Sequence, residues 1–263
     1  MRYFVLLGIF FLFSCEDIST FEVDNPFDPQ NSNYVAPSVT INSGPTENET
    51  ITAASAAFSW VGNTDGMTFR YFFDGSLKQE WDDINSVLIE HLDEGSHQFG
   101  VQGKYPTGDA SDTINVNFNV NAVSGPSLLF LPRKQIAPAG GKLQFDILAE
   151  EVDGVAATSF KLSYNASLVQ IDSIVVGDYI GGNAESIFYK EINNSSGTAS
   201  VITALLGSSS PTFSGTASIV KVYTTVKTVG LSQIEFDGTE TFRNVDNGII
   251  NINSAIGGII DQN

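Results

Sequence analysis

Apolar residues recur at alternate positions in short runs along most of this chain, the period of a half-buried β-strand. From Pro37 the runs are Ser38-Val39-Thr40-Ile41, Ala57-Phe58-Ser59-Trp60, Thr68-Phe69-Arg70-Tyr71-Phe72-Phe73, Ser86-Val87-Leu88-Ile89, Gln98-Phe99-Gly100-Val101 and 114–120. Gly44-Pro45, Gly62-Asn63, Asp65-Gly66, Asp74-Gly75 and Thr107-Gly108-Asp109 separate them and are residues that turn a chain. Short strands at this spacing predict an antiparallel sandwich over 37–123. Ala122-Val123-Ser124-Gly125-Pro126 reads as the boundary to a second series over 127–253. That series runs through Leu128-Leu129-Phe130-Leu131, 142–150, Val152-Asp153-Gly154-Val155, 158–165, 166–171 leading into 174–178, 197–205 and 217–226, and closes with Asn247-Gly248-Ile249-Ile250-Asn251-Ile252-Asn253. Residues 254–263 read as a C-terminal tail. The expectation is an all-β protein of two β-sandwich domains.

The N-terminus has a different pattern. Arg2, a continuous apolar run from Phe4 to Phe13 and Ser14 before Cys15 have the parts of a secretory signal over 1–14. The run is shorter than the ~20 residues that span a bilayer. Cys15 is the chain's single cysteine, so it has no internal disulfide partner. Leu12-Phe13-Ser14-Cys15 resembles a bacterial lipobox, which implies cleavage before Cys15 and lipidation of its thiol. Residues 15–36, with Asn25-Pro26 and Asp28-Pro29, read as a lipidated terminus and flexible tether. Glu16-Asp17 resembles the acidic export signal of surface lipoproteins in some Gram-negative bacteria. The resemblance implies a lipid-anchored outer-membrane protein exposed outward; a periplasm-facing anchor is the alternative.

Charge narrows the partners. Twelve Lys and Arg stand against thirty Asp and Glu, a net charge of −18. Removing residues 1–14 takes away only Arg2 and deepens that value. Nucleic-acid binding needs a basic face and is not expected. An anionic membrane surface gives no electrostatic help, so membrane attachment would rest on the lipid.

Two resemblances concern the folded parts. Leu92-Asp93-Glu94-Gly95-Ser96-His97-Gln98-Phe99-Gly100-Val101 is similar to the late strand of bacterial immunoglobulin-like and fibronectin type III-like modules, and Trp60 stands where such modules place a core aromatic. Over 127–253, the strand order, the corner Tyr164-Asn165-Ala166-Ser167-Leu168 and the final Gly248-Ile249-Ile250-Asn251-Ile252 strand resemble the cohesin family, with Asn165 and Ala166 where that corner carries Asp and Pro. This implies a nine-stranded jelly-roll sandwich, related in architecture to carbohydrate-binding modules. Cohesins bind dockerin modules through one sheet face, and some relatives of the fold bind glycans or act as spacers.

Catalytic constellations are missing from the sequence. His91 and His97 are the only histidines, with no His-x-His or Cys partner for a zinc site. Glu150-Glu151-Asp153, Asp82-Asp83 and Asp93-Glu94 read as solvated turns. Asp237-Gly238-Thr239-Glu240 and Asp246-Asn247-Gly248 look like calcium-loop fragments without a complete ligand set. There is no Gly-x-Ser-x-Gly elbow, and Gly181-Gly182-Asn183 lacks the tail of a phosphate loop. No enzyme activity and no cofactor are expected.

The candidate surface is a sheet face of the second domain. Alternation aims Phe160, Leu162 and Tyr164 inward, and Ser159, Lys161 and Ser163 outward. Tyr189 and Glu191 add an aromatic and a charge, although either register fits 187–192. Lys161, Ser163, Tyr189 and Glu191 are the candidate binding residues. A dockerin-type protein module is the first candidate partner, a polysaccharide is the alternative, and a structural or adhesive spacer is a third reading.

Overall fold

The structure is a computed structural model and describes residues 25–181, 185–207 and 211–262. The expected signal peptide over 1–14, Cys15 and Glu16-Asp17 lie outside the described residues. Among the described residues no helix is long and apolar enough to cross a membrane.

Eight strands build the first sandwich: β1 (Val39–Ser43), β2 (Glu49–Ile51), β3 (Ser55–Gly62), β4 (Thr68–Phe73), β5 (Ser76–Asp82), β6 (Ser86–Glu90), β7 (Gly95–Lys104) and β8 (Ile114–Val120). They form one sheet in the order β1-β3-β6 and another in the order β2-β8-β7-β4-β5. Alternation on β3 sends Ala56, Phe58 and Trp60 into the space between the sheets. There Phe58 stacks on Phe99 of β7 with ring centroids 3.9 Å apart, and Trp60 lies 5.7 Å from the same ring. Asp74 and Gly75 both have positive φ, 48° and 72°, between β4 and β5. A two-residue hairpin whose twist matches its strands needs this backbone, and Gly75 adopts it without strain.

The second sandwich follows with β9 (Ser127–Leu131), β10 (Lys134–Ile136), β11 (Lys142–Val155), β12 (Ala157–Tyr164) and β13 (Val169–Val176). After a four-residue helical turn, α1 (Asp178–Gly181), come β14 (Ser186–Asn193), β15 (Thr198–Leu205), β16 (Phe213–Val226), β17 (Gly230–Phe236), β18 (Thr241–Arg243), β19 (Ile249–Ile250), β20 (Ser254–Ile256) and β21 (Gly258–Gln262). One sheet runs β13-β16-β11-β9-β20. The other runs β10-β21-β17-β12-β15-β14, with β18 also on β12 and β19 on β18. A continuous core, including Phe130, Phe145, Phe160, Leu162, Val222 and Phe242, fills the space between them. At the Tyr164-to-Leu168 corner, the Asn165 side-chain oxygen accepts from the Ser167 N–H at 3.0 Å and its hydroxyl at 2.7 Å. An Asp carboxylate would accept the same two bonds.

Four expectations change. Within the expected tail 254–263, residues 254–262 do not trail: β20 pairs in parallel with β9, and β21 pairs with β17 and β10. The backbone hydrogen bonds of this segment are satisfied only by strands distant in sequence. The end of the tether is also engaged, since Phe27 and Tyr34 pack against the first core and Phe27 lies 4.9 Å from the Tyr105 ring.

Glu150-Glu151-Asp153 is not a turn, although Glu151 and Asp153 are exposed. It lies inside β11, where the register against β16 shifts between Ala149 and Val152 and again before Val155, the mark of bulges. Glu151 at φ 48° and Gly154 at φ 66° carry the distortion. Glu150 is buried. So is Arg133 from the turn after β9, which joins the two sandwiches: its Nη2 lies 3.2 Å from Glu94 Oε1 and its N–H donates to Asp93 Oδ1 at 2.6 Å. Asp93 and Glu94 are therefore the first sandwich's side of this contact, Glu94 through an ion pair and Asp93 as acceptor of a backbone hydrogen bond.

Candidate binding face

Strands β14, β15 and β12 lie side by side, and their registers place residues in rows. Ser159 pairs Ile202, which pairs Tyr189; Lys161 pairs Ser200, which pairs Glu191; Ser163 pairs Thr198, which pairs Asn193. Directly opposed residues point to the same side of a sheet. Lys161, Ser163, Tyr189 and Glu191 therefore share the outward face, while Phe160, Leu162 and Tyr164 are buried beneath it.

The ambiguity on β14 is settled by packing. Phe188 and Ile192 lean on the core, so Tyr189 and Glu191 point out. Lys190 leaves this face: it donates to the Ile174 carbonyl, and its ammonium lies 5.9 Å from the Phe188 ring. The Tyr189 hydroxyl donates to Glu191 Oε2 at 3.2 Å. That hydrogen bond and the adjacent negative charge push the Tyr189 phenol above its ordinary pKa. On the far side of Lys161, the Ser159 and Thr241 hydroxyls hydrogen-bond at 2.9 Å and steady β18 against β12.

The face also holds residues that sequence reasoning did not single out. Ile187 and Tyr189 are each 47% exposed and Ile202 is 46% exposed. Tyr189 and Ile202 are direct cross-strand partners, and Ile187 is two residues along β14. Single exposed apolar side chains are ordinary, but three adjoining ones on a sheet edge form a patch. The alternation of 197–205 aims Ile202 outward; its meeting with Tyr189 requires the register. Among the described residues no three His, Cys, Asp or Glu side chains come close enough to hold a metal ion. The face offers an apolar contact rimmed by Lys161 and Glu191.

No curated protein matches the chain. Among solved structures it is similar to a non-cellulosomal cohesin from the archaeon Archaeoglobus fulgidus, at 18% identity and TM-score 0.43, over 51% of this chain and 88% of that one. It is also similar to a type II cohesin domain from the cellulosome of Acetivibrio cellulolyticus, at 13% identity and TM-score 0.46, over 51% and 94%. A type I cohesin–dockerin complex from Clostridium thermocellum matches at 12% identity and TM-score 0.45, over 52% and 98%. The family described as the cohesin domain matches residues 129–259, a span that takes in strands of both sheets and reaches into β21. The match to the cohesin domain thus falls on the second sandwich.

Proposed function

We propose that the outward face of β12, β15 and β14 binds a dockerin-type protein module, and that the chain presents this face from the cell envelope. The observation that carries the reading is the exposed cluster of Ile187, Tyr189 and Ile202 beside Lys161 and Glu191. Protein interfaces concentrate energy in a few aromatic and apolar anchors ringed by polar groups. The cohesin match supplies the class of partner. A polysaccharide would be served better by several aromatic plates, and this cluster holds a single aromatic ring among two isoleucines.

The direct test screens the full chain against a panel of dockerin modules and a glycan array, then repeats each hit with Tyr189→Ala and Lys161→Ala. Tyr189→Ala is expected to weaken dockerin binding about thirtyfold, the consequence of losing ~2 kcal/mol at an anchor. Lys161→Ala is expected to cost less, because a rim charge mainly alters the on-rate and salt dependence. Binding to glycans alone, or dockerin binding untouched by both substitutions, would remove this face from the reading.

The envelope location rests on the lipobox resemblance at Cys15. An immunoglobulin-like first sandwich would then hold the cohesin domain away from the membrane. Stable anchoring takes more than one acyl chain, as a diacylglyceryl-modified cysteine supplies. Cys15→Ala is expected to move the protein from the membrane fraction to the soluble one; equal membrane retention would refute lipidation.

A further inference from the structure

A second surface, on the first sandwich, has the composition of a ligand site that the cohesin reading does not use. It is the outer face of the β2-β8-β7-β4-β5 sheet. Phe69, Phe73, Phe99 and Phe118 point into the core, so Arg70, Phe72, Gln102 and Lys104 point away from it. The Arg70 guanidinium carbon lies 4.6 Å from the centroid of the Trp81 ring and 5.4 Å from that of Phe72. The Lys104 ammonium lies 4.5 Å from the Trp81 ring. Arg70, Lys78 and Lys104 are the three Lys and Arg residues between positions 25 and 125, so two of the three gather on one indole. Neither takes part in any ion pair among the described residues, in a chain with thirty acidic residues.

Beside them runs a ladder of amides and hydroxyls, with the Glu47 carboxylate at its edge accepting from the Asn117 backbone N–H at 2.9 Å and from its side-chain Nδ2 at 3.0 Å. Ser96 Oγ donates to Asn119 at 2.7 Å, Gln98 Nε2 donates to Asn117 at 2.9 Å and Arg70 Nε donates to Gln102 at 2.8 Å. These bonds fix the orientation of each amide and leave it further donor or acceptor capacity. Gly100 sits opposite Phe72, and the Asn115 carboxamide lies where a Cβ at Gly100 would be. The missing side chain leaves that space to the Asn115 carboxamide.

We propose that this face binds an acidic polysaccharide. Sugar rings present an apolar C–H face that stacks on the Trp81 and Phe72 rings, and hydroxyls that suit the Gln102, Asn115 and Asn117 amides. The unpaired cations add the charge complementarity that selects carboxylate-bearing sugars over neutral ones. A nucleic acid would need many more phosphate contacts than two cations make. The site lies outside the cohesin domain and does not depend on the dockerin reading.

The test uses the full chain in affinity electrophoresis and calorimetry against polygalacturonate, alginate and hyaluronate, with dextran and laminarin as neutral probes. Binding to at least one acidic polymer and weaker binding to both neutral ones is expected, with affinity falling as salt is added. Trp81→Ala is expected to lower that affinity about tenfold or more. Because Trp81 also packs on the sheet, the double substitution of Arg70→Gln and Lys104→Gln is measured alongside. It is expected to abolish the preference for acidic over neutral polymers while the circular dichroism spectrum stays unchanged. No binding to any acidic polymer, equal binding to neutral ones, or an acidic preference that survives the double substitution would overturn the proposal.

Discussion

Replacing Arg133 with alanine is expected to destabilise the protein by about 3–5 kcal/mol, the usual cost of removing one partner of a buried ion pair. The side chains of Arg133 and Glu94 are only 7% and 13% exposed. Glu94 also accepts the Ala122 N–H, at 2.9 Å and 3.2 Å to its two oxygens. Glu150 is buried nearby, and its Oε2 has no hydrogen-bond partner. Removing the guanidinium leaves these carboxylates dehydrated without a counter-charge. Burial pushes the Glu150 carboxyl above its ordinary pKa and a hydrogen bond from Thr216 pulls it back; the charges of Glu94 and Glu151 push it up, and Arg133 adds a smaller pull down. Asp93 is raised chiefly by burial, against the pull of the Arg133 N–H.

The sign of the pH dependence follows. A carboxyl whose pKa is higher in the folded state binds its proton more tightly there. Its contribution to stability is present below its unfolded pKa and is lost as pH rises through the folded one. Without Arg133 one of the downward pulls is gone and the raised carboxyls rise further, so the cost of the substitution is greatest near pH 7 and shrinks toward about pH 4. Denaturant unfolding of Arg133→Ala at both pH values checks this. A loss below about 1 kcal/mol, or one independent of pH, would mean that the pair behaves as a solvated one. Adding Glu94→Gln and Glu150→Gln to Arg133→Met should recover much of the loss, since a neutral set carries no dehydrated charge.

This contact also shows where sequence reading stops. Alternation is a local property, and it placed Phe160, Leu162 and Tyr164 inside and Lys161 outside because a strand buried on one face has only two ways to lie. Asp74-Gly75 was legible for a similar reason: few residues accept that backbone. Glu150 looked like part of a solvated acidic turn because charges are rarely buried unless paired, and its environment comes from Arg133 and Glu94. Nothing local to β11 announces either partner. The same limit hid β20 and β21, whose parallel pairings join distant segments, and left β14 undecided while Phe188 and Tyr189 competed for the core side. The candidate face was therefore legible residue by residue, but its apolar centre was not. Ile202 meets Tyr189 through a register that only the folded sheet fixes.

Phe99→Ala and Phe145→Ala are each expected to cost about 3–5 kcal/mol, yet to be seen by different probes. Phe99 is fully buried between Phe58, at a centroid distance of 3.9 Å, and Tyr71, at 6.0 Å. Phe145 is fully buried in the second core, 5.5 Å from the Phe130 ring. The two cores are separate clusters, so a cavity in one removes no packing atoms from the other. Both tryptophans, Trp60 and Trp81, lie in the first sandwich. Tryptophan fluorescence therefore follows the first sandwich alone, and far-ultraviolet circular dichroism follows both. Phe99→Ala should shift the fluorescence transition to lower denaturant, whereas Phe145→Ala should shift a part of the dichroism transition and leave fluorescence in place. If both substitutions move both signals equally, the sandwiches unfold as one cooperative unit. The Arg133 contact would then be the place to look for the coupling, and Arg133→Ala in the Phe145→Ala background should separate the two transitions.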